Sequence, residues 1–306
     1  MMLEYMPEGH GRPARGLTDG ALAAAFAGGQ ILESTALAFD QARRLCFEIG
    51  GRPAFMPYAE CADGVAEGAV RDIALLTRVG RPTCFKIAAL GASSKGPYLL
   101  SRRAAQAECK AKFLDTLRPG DLLQCAVTHI ESFGAFCDVG CGVSALLPID
   151  CLSVSRIQSP ADRVTVGDVL TCAVKSRDAR GRLVLTLREL LGTWQQNADR
   201  FAVGETVVGL VRSIESYGVF IELAPNLAGL AESSEGLRVG QPVSVYIKNI
   251  LPDRMKVKLV IVNRQLQGPL HFGPRYFVTG GRLERWVYST PESKKRIETD
   301  FTAPPL

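Results

Sequence analysis

The sequence predicts an all-β fold of tandem small barrels joined by short helices. Three observations carry this. A block of sequence recurs along the chain. Each copy is built of short runs with alternating apolar residues, broken by Gly or Asp turns, which is the pattern of strands. Each copy fits roughly five such runs into about 60–80 residues, the size of a small closed barrel. The chain has 306 residues, too long for one ordinary small domain and enough for several.

The repeat shows most clearly between two stretches. One runs from Pro119-Gly120-Asp121 through Ile130, Phe133-Gly134 and Phe136. The other runs from Val203-Gly204-Glu205 through Ile214, Tyr217-Gly218 and Phe220. Gly120 and Gly204, Ile130 and Ile214, Gly134 and Gly218, and Phe136 and Phe220 are all 84 positions apart. Val166-Gly167-Asp168 and Val239-Gly240-Gln241 are 73 apart, so the later copy lacks 11 residues between its third and fourth strands. Such a difference is expected in a surface loop. A fainter first copy includes Phe47-Glu48-Ile49-Gly50, Ala54-Phe55-Met56-Pro57 and Leu100-Ser101-Arg102-Arg103.

This reading divides the chain in order. Residues 1–25 are an irregular lead-in. Residues 26–117 are a degenerate barrel with a linker helix, 118–201 a second barrel with its linker helix, and 202–264 a third barrel. Residues 265–306 form a basic extension with a hairpin. The helical patterns are Ala104 to Leu117 and Arg188 to Phe201. They have charged faces rather than Gly/Ser-rich tethers, which would hold barrels in fixed orientations. In the tail, Tyr276 to Thr279, Gly280-Gly281 and Arg285 to Tyr288 read as a hairpin. Trp286 and Tyr288 share one face of it and are expected to pack on the last barrel, with an extra RNA contact as the alternative.

Composition excludes several classes. At 47% hydrophobic and 22% charged, the chain is not mainly disordered. No apolar run approaches the ~18–20 residues of a membrane helix. The Arg12 to Ala27 stretch is interrupted by Asp19 and Gly20 and makes a poor signal peptide. A cytoplasmic chain without a membrane partner is expected. The nine cysteines are odd in number and none has zinc-knuckle spacing. They read as reduced, small, buried hydrophobes. A metal site at Cys137, Cys141 and His129 is the lesser reading. His10, His129 and His271 are too scattered for a triad. Gly91 to Gly96 lacks Walker spacing, and Gly28-Gly29-Gln30 is read as opening a strand. No enzyme and no cofactor are expected.

The net charge of +5 identifies no partner by itself. Its distribution says more. Residues 118–190 carry 8 basic and 8 acidic side chains, whereas 237–300 carry 12 basic and 5 acidic. Aromatics make up only 7% of the chain, so each position is informative.

Val127, Ile130, Phe133, Gly134, Phe136, Asp178, Arg182 and Leu185 together resemble the S1-type RNA-binding domain, a five-stranded OB-fold barrel. Leu190-Leu191-Gly192-Thr193-Trp194, Pro225 to Leu230 and Met255 to Leu259 resemble, more narrowly, ribosomal-protein-S1-like chains of Firmicutes type with three such repeats. The resemblance implies a stacking platform of Phe133 with Phe136, and of Tyr217 with Phe220. A flat π-face stacks on any base. Arg182 and Lys256 would meet phosphate, and Asp178 would accept a hydrogen bond. Lys175, Arg180, Arg212, Lys248, Arg254 and Lys258 complete the implied RNA surface. The competing reading puts each aromatic pair in the core.

Three departures from the family pattern stand out. Pro148 and Glu232 occupy a place where the family carries His. Pro252 stands where Asp178 would be, with Asp253 displaced by one. The first copy has Arg43 and Cys46 instead of aromatics. The implied function is non-enzymatic binding of single-stranded RNA, specifically mRNA in translation or at the small ribosomal subunit. A protein–protein or ribosome-docking scaffold is the alternative.

Overall fold

The computed structural model describes residues 5–91, 96–264, 266, 268 and 270–302. Most of the Gly91 to Gly96 stretch therefore lies outside the described residues. Two compact units are present. One is residues 1–117 with 124–126 and 138–144, and the other is the remainder.

In the first repeat, α1 (Asp19–Ala27) occupies part of the stretch expected to be irregular. The Thr18 hydroxyl accepts the Ala21 N–H at 3.3 Å, and the alanine-rich run that follows favours helix. Gly28 and Gly29 close this helix rather than opening a strand, and Gly29 has the left-handed φ of +58° common after helices.

The sheet that follows contains β1 (Leu32–Thr35), β2 (Ala38–Phe39), β3 (Leu45–Ile49) and β4 (Arg52–Met56). After α2 (Asp72–Leu76) come β5 (Pro82–Ala89) and β6 (Tyr98–Ser101). The order β1-β5-β6-β4-β3-β2 is an open six-stranded sheet, not the closed five-stranded barrel expected. The cause is local. The first strand is broken at Ala36-Leu37: Ala36 donates its N–H to Arg81 O, while Leu37 donates to Cys46 O. The two halves therefore lie at opposite edges. The helix expected over 104–117 is present as α3 (Arg102–Lys112) and a 3-10 turn at Leu114–Thr116.

The next two repeats close. The second is β7 (Leu122–Glu131), β8 (Gly134–Asp138), β9 (Ser144–Pro148), β10 (Val169–Arg177) and β11 (Leu183–Thr186), ordered β10-β11-β9-β8-β7. A 3-10 turn at Arg188–Leu191 and the short α4 (Trp194–Ala198) follow. The third is β12 (Thr206–Glu215), β13 (Gly218–Ala224), β14 (Leu227–Ala231), β15 (Pro242–Leu251) and β16 (Lys256–Asn263), ordered β12-β13-β14-β16-β15. In each, a parallel pairing joins the third strand to the fifth. Full closure leaves no unpaired edge.

The tail hairpin differs from expectation. β17 (Arg285–Val287) pairs with β18 (Glu298–Asp300), not with Tyr276 to Thr279. That earlier segment is taken up by the second repeat. Phe277 donates its N–H to Leu190 O at 2.8 Å, and the Tyr276 hydroxyl accepts the Thr171 N–H at 3.0 Å. Trp286 and Tyr288 are buried in the core of the third barrel, as expected.

Within the second unit, the loop between β9 and β10 joins repeats two and three. Arg163, fully buried, donates to Glu222 at 2.5 Å, and Arg212 donates to the same carboxylate at 2.5 Å and pairs with Asp162 at 3.1 Å. Buried Asn226 accepts the Val154 N–H and donates to the carbonyls of Arg188 and Gly192. The Tyr288 hydroxyl donates to Asn226 O at 2.7 Å. The 11 extra residues of repeat two therefore lie in a segment that brackets repeat three, not in a free surface loop.

Candidate nucleic-acid interface

The two aromatic pairs share one geometry. Phe133 and Phe136 meet edge to face with centroids 6.0 Å apart and planes at 88°. Tyr217 and Phe220 do the same at 6.2 Å and 88°. Phe133 is 53% exposed and Tyr217 67% exposed, at the turns before β8 and β13. Phe136 and Phe220 are half-buried on those strands. The outer ring of each pair thus offers a free face to solvent, while the inner ring supports it.

Glycine makes this placement possible. A Cβ at Gly134 would stand 2.6 Å from Leu147 O, and one at Gly218 would stand 2.5 Å from Ala231 O. Any side chain there would push the third strand of its barrel away.

Strand register aligns the rest of the third repeat's face. Ser213, Phe220, Leu230, Lys258 and Asn249 are successive partners across β12, β13, β14, β16 and β15. Partners across a sheet point to the same side, so Lys258 shares the face of Phe220. In the second repeat the corresponding line passes through Leu146, Val184 and Ser176. There Val184 occupies the place that Lys258 fills in repeat three.

A groove of about 600 Å³ opens beside the Tyr217–Phe220 pair. Arg156, Arg254, Lys256 and Lys295 line it, with no Asp or Glu among its lining residues. Trp194, Met255 and Tyr288 contribute apolar surface. Asp253 approaches Arg254 from outside at 3.4 Å, an exposed pair of weak energetic consequence. Lys248 is exposed at an irregularity in β15, outside the groove lining.

In the second repeat, Asp178 organises the turn between β10 and β11. One of its carboxylate oxygens accepts the N–H groups of Arg180 and Arg182, both at 2.9 Å, and the other accepts the Arg182 guanidinium at 2.7 Å. The backbone N–H of Arg182 and then its guanidinium hold this carboxyl below its ordinary range. Arg180 and Arg182 are exposed. Lys175 is half-buried, with Nζ 3.1 Å from Cys151 Sγ and 3.9 Å from Asp150. Partial burial works against its charge, but Cys151 and Asp150 keep its pKa above the usual value.

One expected residue belongs elsewhere. Arg212 is 7% exposed and locked onto Glu222 and Asp162, so it is part of the joint between repeats rather than of the surface. Conversely, His129 is an addition. Its ring stacks on Phe136 at 6.3 Å and 24°, and Nε2 lies 2.7 Å from Glu131. Strand alternation around Phe136 was the available signal, hidden because the third repeat has Ser213 at that place. Arg156 and Lys295 were also missed, since neither falls within the repeated block.

In the first repeat, Cys46 and Phe55 are register partners, as Phe220 and Leu230 are in the third. Arg44 covers the Phe55 ring at 4.2 Å and Arg43 covers Tyr58 at 3.9 Å. The faces of these two rings are thus covered by arginines of the same repeat.

Among the described residues, no group of His, Cys, Asp and Glu is arranged to hold a metal ion, and no helix is long and apolar enough to cross a membrane. None of the nine cysteines is in a disulfide, and eight of them are buried.

Residues 116–188 match the family model of the S1 RNA binding domain. The second repeat is an S1 domain. The chain is similar to small ribosomal subunit protein bS1 of Streptococcus pneumoniae, 34% identical over 181 residues, covering 54% of this chain and 45% of that protein. It is also similar to the small ribosomal subunit protein bS1 homolog of Bacillus subtilis, 32% identical over 215 residues, covering 68% of this chain and 55% of that protein. The chain thus spans about half the length of the curated relatives it matches. These relatives bear out the resemblance to S1-like chains of Firmicutes type. A crystal structure of a multidomain protein with nucleic acid binding domains from Streptococcus pneumoniae aligns over 78% of this chain and 75% of its own, at 16% identity and a TM-score of 0.26. The closed five-stranded barrels of repeats two and three establish the OB-type fold directly.

Proposed function

We propose that this chain binds single-stranded RNA through the S1 domain of repeat two and the matching face of repeat three. The reading extends to mRNA, in translation or at the small ribosomal subunit. The observation that carries it is the pair of exposed aromatic platforms at equivalent places in two barrels, the second of them beside a groove lined by cations. Phe133 and Tyr217 supply stacking faces that accept any base. Arg180 and Arg182 in repeat two, and Arg254, Lys256 and Lys258 in repeat three, supply charge for the backbone. Asp178 orients Arg182 and takes little part in attraction. Lys175, tied to Cys151 and Asp150, and Lys248, outside the groove, are secondary contacts. The role is binding without turnover.

Fluorescence anisotropy with an end-labelled, unstructured RNA tests this reading. Phe133→Ala, Phe136→Ala, Tyr217→Ala and Phe220→Ala should each weaken binding by about 1–3 kcal/mol, the range for one lost base stack. A scaffold for protein partners would instead keep its partners after ribonuclease treatment and would not respond to these changes.

A further inference from the structure

The groove beside Tyr217 and Phe220 continues toward repeat two. A second depression, of about 390 Å³, shares Val154, Ser155, Arg156 and Ile297 with it and extends to Ile149, Asp150 and Arg188. Ile149 donates its N–H to Phe133 O at 2.9 Å, so this far end adjoins the backbone of the first platform. Among the described residues, Arg156 is the one cation lining both depressions, and it is exposed.

The same segment that carries Arg156 is fixed to repeat three. Val154 is held by Asn226, the Ser155 N–H by Pro225 O at 3.1 Å, and Arg163 by Glu222. Arg156 therefore sits on a rigid bridge, not on a free loop. From the geometry we infer that one RNA strand runs unbroken from the platform of repeat two to that of repeat three, with its backbone crossing at Arg156. This rests on the RNA-binding reading above and adds to it: the ligand is a single strand long enough to occupy both barrels, and the two platforms act as one site. Two sites held at fixed separation raise affinity for a strand that spans them, because the second contact is intramolecular. Asp150, exposed at the far end and 3.9 Å from Lys175, repels phosphate as a carboxylate, so the strand presents a base or ribose there.

The test uses the full chain and two end-labelled oligouridylates. One is about 5 nucleotides long, sufficient for one barrel, and the other about 14, sufficient for two. The wild type should bind the long strand at least about tenfold more tightly than the short one. Arg156→Glu should remove most of that advantage, weakening the long strand by a several-fold larger factor than the short one, and should reduce the salt slope for the long strand by about 0.7 or more. Arg156→Lys should retain the advantage. Equal affinity for both lengths would overturn the inference, as would an equal effect of Arg156→Glu on both strands or none on either. Failure to bind either strand would overturn the RNA-binding reading itself.

Discussion

The platform residues work because of what stands behind them. Gly134 and Gly218 lie where the neighbouring strand approaches too closely for a Cβ. Gly134→Ala and Gly218→Ala should each destabilise the chain by about 1–3 kcal/mol in denaturant unfolding, through forced separation of strands rather than loss of any contact. Unchanged stability would show that the third strand yields freely. Asp178 is also open to direct measurement. Its carboxyl is stabilised as the anion by Arg182 and Arg180, so its folded pKa lies below the ordinary 3.8. The turn it clasps keeps this stabilisation above the ordinary value and loses it as pH falls through the folded pKa. An NMR titration should place the Asp178 midpoint below 3.8, and a midpoint above that would show the clasp is not formed. The aromatic pairs were legible from their positions in the repeat. His129 and Arg156 were not, because each lacks a counterpart in the other copy, and comparison of copies reveals only what both share.

At the scale of elements, the joint between repeats two and three holds three buried charges together with Asp162. Burying Arg163, Arg212 and Glu222 costs desolvation that only mutual pairing offsets. Glu222→Gln removes the carboxylate charge that both guanidinium groups share, leaving Asp162 as the ion-pair partner of Arg212 alone, and should lower stability by about 3–5 kcal/mol in denaturant unfolding. A loss below about 1 kcal/mol would mean that the arginines find other partners or reach water. This joint explains two failures of sequence reading. A basic residue such as Arg212 scores as RNA-facing by charge alone, and only the register that places Glu222 beside it reveals its use. Likewise the 11-residue difference resembled a tolerated loop insertion, yet Ser153, Ser155 and Arg163 in that segment are buried. The strands themselves were readable from alternation. The tail pairing was not, because Tyr276 and Phe277 had to be assigned between a local hairpin and a distant barrel, and side-chain burial decided for the barrel.

For the whole molecule, the near-balance of charge conceals a local asymmetry. The net +5 is spread over 306 residues, whereas four cations converge on one groove. Binding through that groove should weaken steeply with added salt, by a log–log slope of about −0.7 per phosphate neutralised. Folding stability, held by barrel cores and buried pairs, should change far less over the same range. Parallel titrations of binding and unfolding in salt would separate the two. The fold class and the two closed barrels were legible from periodicity and repetition. The open sheet of the first repeat was not, since its broken first strand depends on two backbone hydrogen bonds at Ala36 and Leu37 that no residue pattern announces.

In the proposed function the aromatic faces, not charge alone, hold RNA. Its most direct measurement is the affinity of one variant in which Phe133, Phe136, Tyr217 and Phe220 are all replaced by Ala, at constant salt, with circular dichroism confirming that the barrels persist. Binding of single-stranded RNA should fall to the weak, salt-sensitive level of a basic surface. Affinity equal to that of the wild type would contradict it.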